Sequence, residues 1–112
     1  MTAIADIDLD VAFDRLVASA RETGYARLTP SGLIGKQRPF TPVELNYVCR
    51  LIETRLGVRH YMLGAVVNAP SRAITSKPFL IGHCSGDPPL NLYAERHLTA
   101  EGLKVDFTLQ RT

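Results

Sequence analysis

Gly82-His83-Cys84-Ser85-Gly86-Asp87 gathers an imidazole, a thiol, a hydroxyl and a carboxylate within six residues. A thiol attacks as its thiolate, which a nearby imidazole or cation favours. If residues 58–67 and 74–84 pair as a hairpin centred near Arg72, His60 falls opposite Cys84 with Arg59 alongside. Cys84, His60 and His83 are therefore the candidate catalytic residues. The plainer reading is a half-buried cysteine at a strand end, followed by a turn that Ser85, Gly86 and Asp87 suit. One cysteine near one histidine arises often by chance, so the weight lies against an enzyme. His97 falls at the far end of the third strand, away from this group.

A second set is cationic. Residues 1–22 carry five acids (Asp6, Asp8, Asp10, Asp14 and Glu22) against Arg15 and Arg21, whereas residues 23–85 carry eight basic residues against Glu44 and Glu53. Within that middle stretch Lys36, Arg38, Arg50, Arg55 and Arg59 form a candidate basic face able to address phosphates or carboxylates. Lys36 and Arg38 lie in residues 25–40, where Pro30, Gly32, Gly35 and Pro39 predict a long irregular loop of the kind often used for binding.

Other motifs fail on inspection. Gly32-Leu-Ile-Gly35-Lys36 resembles part of a phosphate-binding loop, but that motif needs glycine where Pro30 stands and a hydroxyl residue where Gln37 stands. Asp6, Asp8 and Asp10 open like a calcium loop, yet its glycine and closing acid are replaced by Val11 and Val17. The three histidines and two cysteines show no zinc-type spacing. No metal and no cofactor is expected.

The elements that must position these residues follow from hydrophobic period. At 112 residues, 46% hydrophobic and 21% charged, the chain is expected to be a single domain over residues 1–112. Leu9, Ala12, Phe13, Leu16, Val17 and Ala20 predict a helix over 9–23 that Gly24 stops, while Ala5, Ile7, Leu9 and Val11 admit a short strand at its start. Thr41-Pro42-Val43-Glu44 combines a capping box with proline at the first helical position, and Leu45, Val48, Cys49, Ile52 and Leu56 form the buried stripe up to Gly57. Tyr25–Leu28 admits a short strand. Beyond the second helix, residues 58–67, 74–84 and 90–98 are expected as strands. Leu103, Val105, Phe107 and Leu109 alternate with Lys104, Asp106, Thr108 and Gln110, the pattern of a strand with one wet face. Thr99-Ala-Glu-Gly102 is the expected hairpin loop before it.

The expected fold is α+β, two N-terminal helices on one face of a four-stranded antiparallel meander, with a ferredoxin-like arrangement as the fallback if 90–98 is helical. The longest uninterrupted apolar run is residues 61–67, far short of the ~20 residues that span a bilayer. With two cysteines and no basic leader, the expected location is the cytoplasm. The function expected is non-enzymatic: a small regulatory or accessory protein (inhibitor, adaptor or assembly subunit) that binds another protein. Two alternatives stay open, a small enzyme or ligand-binding domain centred on Cys84, His60 and His83, and a nucleic-acid-binding protein using the basic middle. Homodimerisation through a sheet edge, with the strand at 103–110 as its first candidate, completes the list of expected partners.

Overall fold

A threonine, a proline and a glutamate set the best-defined helix start in the chain. In the computed structural model, which describes residues 2–59, 78–100 and 102–112, the Thr41 hydroxyl accepts from the Glu44 N–H at 3.2 Å and the Glu44 carboxylate accepts from the Thr41 N–H at 2.9 Å. Two of the backbone donors that a helix start leaves orphaned are thereby satisfied. This is α3 (Pro42–Leu51), which continues as a π-helical turn over Ile52–Leu56. Before it come α1 (Thr2–Thr23), β1 (Tyr25–Leu28) and α2 (Pro30–Ile34), and after it β2 (Phe79–Cys84), β3 (Leu90–Thr99) and β4 (Gly102–Arg111). Gly24 and Gly57 end α1 and the π turn at φ 91° and 74°, where side-chain-bearing residues are strained.

The sheet is antiparallel, in the order β1-β4-β3-β2. Its core face is built by Ala26 and Leu28 of β1, Val105, Phe107 and Leu109 of β4, Leu90, Leu92 and Ala94 of β3, and Ile81 and Cys84 of β2. Leu9, Phe13 and Ala20 of α1, and Val48, Cys49, Leu51, Ile52 and Leu56 of α3 and its π turn, close the same core from the helical side. A register shift between Leu80 and Gly82 turns Ile81 inward, out of strict alternation.

Several expectations change. The strands form a meander only from β2 to β4. The fourth strand is Tyr25–Leu28, which returns from before α3 to pair with β4. The ferredoxin-like fallback lapses because 90–99 is a strand. Of the expected strand over 58–67, Val58 and Arg59 are described and lie outside any strand; residues 60–67 and 74–77, and with them the His60 pairing, lie outside the described residues. Helix α1 starts at Thr2 rather than 9, since Ala3 and Ala5 are strong helix formers.

The expected irregular loop contains a helical turn. The Thr29 hydroxyl accepts from the Gly32 N–H at 3.2 Å, and Pro30 takes the first helical position of α2. The strand at 103–110, expected to offer a free edge, is interior, because β1 and β3 flank it. Its expected wet face is also partly dry: Asp106 is 2% and Thr108 6% exposed. The cause is Arg27, whose guanidinium reaches from β1 to Glu95 of β3 at 2.7 Å and so crosses β4 between them.

Candidate binding cleft

The early end of β1 creates the cleft. Thr29 and Pro30 turn the chain into α2, so β1 stops opposite Phe107 while β4 and β3 run on. The segment after α2 comes back as Lys36-Gln37-Arg38-Pro39. Between this segment and the sheet lies a cleft of about 320 Å³, near the lower end of ligand-binding clefts. Arg27, Thr29, Ser31, Lys36, Arg38 and Lys104 line it on the polar side, with Thr99 at the hairpin end and Asp106 at its acidic point.

Its charges are ordered by their neighbours. Arg38 forms a fork with Glu44, at 2.7 and 3.0 Å. That hydrogen bond is the main reason the Glu44 carboxyl is held down to about 2, and the capping bonds from Thr41 act in the same direction. Arg27 bonds Glu95 at 2.7 Å and reaches Asp106 at 3.5 Å, Lys104 reaches the same Asp106 oxygen at 3.5 Å, and His97 sits 3.2 Å from Glu95. Glu95 and Asp106 are directly opposed across β3 and β4, a like-charge pairing that costs stability unless cations intervene. Arg27 intervenes. The Lys36 ammonium meets no acid among the described residues.

The cationic set splits. Lys36 and Arg38 line the cleft, whereas Arg50, Arg55 and Arg59 do not. Arg55 turns instead to α1, bonding both oxygens of Asp14 and reaching Asp10 at 3.3 Å. The hydrogen bond to Asp14 is the chief cause of its raised pKa. Tyr47 adds a hydroxyl bond to Asp10 at 2.6 Å. Acidic helix and basic helix therefore answer each other within the chain. Arg50 projects from the exposed side of α3.

The thiol set also separates. Cys84 is 1% exposed in the core, and burial pushes its thiol up, with the Arg21 charge opposing. His83, its neighbour on β2, lies on the other face, 2.7 Å from the Asn91 side chain. Cys49 is likewise buried, its thiol raised to about 11 by desolvation.

Sequence reasoning found Lys36 and Arg38 but missed Arg27, Lys104, Glu95 and Asp106. The signal for Lys104 and Asp106 was present in the β4 alternation, which places them on one face. The partner strand that brings Arg27 beside them, β1, is separated from β4 by most of the chain. No protein-family model matches the sequence, and neither a curated protein nor a solved structure matches it.

Proposed function

We propose that the chain is a non-enzymatic binding protein whose basic cleft receives an acidic segment of another protein. One observation carries this: Arg27 from β1, Lys36 and Arg38 from the segment after α2, and Lys104 from β4 converge on one cleft in which, among the described residues, Asp106 is the only acid. Complementary charge of this kind steers encounter and fixes register. Much of it is already balanced by Glu44, Glu95 and Asp106. A short acidic stretch held with modest affinity suits that balance better than a phosphate backbone, which needs a continuous run of free cations. An inhibitor, adaptor or assembly subunit acting in the cytoplasm is the biological form this takes.

The test uses a fluorescently tagged polyglutamate peptide and a polyuridylate strand at low salt, against the native chain, Lys36→Glu and Arg50→Glu. Lys36→Glu reverses the cleft cation that no acid holds among the described residues, and Arg50→Glu reverses an exposed cation outside the cleft. The expected result is polyglutamate binding weakened about tenfold by the first and unchanged by the second. Tighter binding of polyuridylate, lost on Arg50→Glu, would move the assignment to nucleic acid. Equal effects of the two variants on polyglutamate would remove the cleft from it.

A further inference from the structure

Asp106 is the feature of the cleft that an acidic partner does not by itself explain. Its side chain is 3% exposed, and a carboxylate buried so deeply is costly unless its oxygens are well served. They are not. Charge-assisted hydrogen bonds run at about 2.7–2.9 Å, yet both cations near Asp106 stand off at 3.5 Å and on the same oxygen, Oδ2. Among the described residues Oδ1 finds no hydrogen-bond donor. Arg27 gives its short bond to Glu95 instead. The cleft thus couples one cation, Lys36, that meets no acid among the described residues with a buried acceptor short of a donor.

Both cations near Asp106 keep their side chains partly in water, Arg27 at 43% and Lys104 at 39% exposed. An incoming carboxylate competes with Asp106 for Lys104, which stands at 3.5 Å from Oδ2, and leaves the buried acid in greater need of a donor. A second cation is a poor occupant for that place, because Arg27 and Lys104 stand beside it. A neutral donor meets no such repulsion.

We infer that the cleft recognises an anion joined to a neutral hydrogen-bond donor: within an acidic segment, a carboxylate for Lys36 and Lys104 next to a serine or threonine hydroxyl for Asp106. This rests on the cleft being the site for an acidic segment and goes further in naming what the segment must carry. Asp106 is then a specificity residue, and its charge sets which acidic sequences are preferred.

The experiment compares two tagged peptides of equal length and equal glutamate content, one alternating glutamate with serine and the other glutamate with alanine, by fluorescence anisotropy at low salt. The native chain is expected to bind the serine peptide about tenfold more tightly, the worth of a hydrogen bond to a charged acceptor. In Asp106→Asn the preference should shrink to within about twofold, while affinity for the alanine peptide rises because Arg27 and Lys104 lose their acid. Equal binding of the two peptides by the native chain overturns this inference and leaves the acidic-segment reading standing. Binding of neither peptide overturns both. The native-chain comparison decides the matter even if Asp106→Asn folds poorly.

Discussion

Glu44 serves three neighbours at once: the Thr41 N–H, the Arg38 guanidinium and the positive end of α3. Its folded carboxyl lies at about 2 against an ordinary 4.5. A depressed acid contributes its full stability above about 4.5 and loses it as pH falls through about 2. Glu44→Gln is expected to cost about 1 kcal/mol at neutral pH, after allowance for solvent screening of the pair. Unfolding in urea at a series of pH values should show native and variant stabilities converging between about 4.5 and 2; a constant gap would mean that the pair is not the source. The thiols follow the opposite logic, since burial raises both. Iodoacetamide at neutral pH should alkylate Cys84 in the native chain about a hundredfold more slowly than in urea. A native rate above that of a free thiol would return Cys84 to the nucleophile role.

At the scale of elements, the turn between β2 and β3 is held from a distance. Arg21 of α1 donates to the Pro88 carbonyl at 2.8 Å and to the Ser85 carbonyl at 3.1 Å, with Gly86 tucked between at φ 146°. A side chain at Gly86 is strained by that backbone and would collide with the Arg21 guanidinium. Gly86→Ala is expected to destabilise by about 1–3 kcal/mol. In a double-mutant cycle with Arg21→Ala the steric part should disappear and the backbone part remain, and full additivity would refute the clash. This contact shows what the sequence could and could not convey. The capping box at Thr41 and Glu44, the β4 alternation and the β3–β4 hairpin are local patterns, read within a few residues, and they were legible. Arg21 beside Gly86, Tyr25–Leu28 beside β4 and Arg27 beside Asp106 join residues more than sixty positions apart. No local period encodes such pairings. From the sequence Pro30 reads as a loop breaker, because proline at a helix start and proline in a loop look alike until the Thr29 cap is seen.

Over the whole molecule the charge split of the sequence resolves into two parts with different fates. Asp10 and Asp14 of the acidic helix pair with Arg55 and Tyr47, so this part holds α1 against the helix that carries the basic residues. The other part, Lys36 and Arg38 joined by Arg27 and Lys104, gathers on the cleft at one end of the sheet. Among the described residues no helix is long and apolar enough to cross a membrane. The α+β scaffold, with helices on one face of an antiparallel sheet, leaves the cleft on polar ground where β1 ends and β4 continues. The most direct test of the cleft as the working surface is an NMR titration of the isotope-labelled native chain with polyglutamate at low salt. Shifts concentrated at Arg27, Lys36, Arg38 and Lys104 are the expected result; shifts centred on Arg50 and Arg59, with the cleft silent, would contradict it.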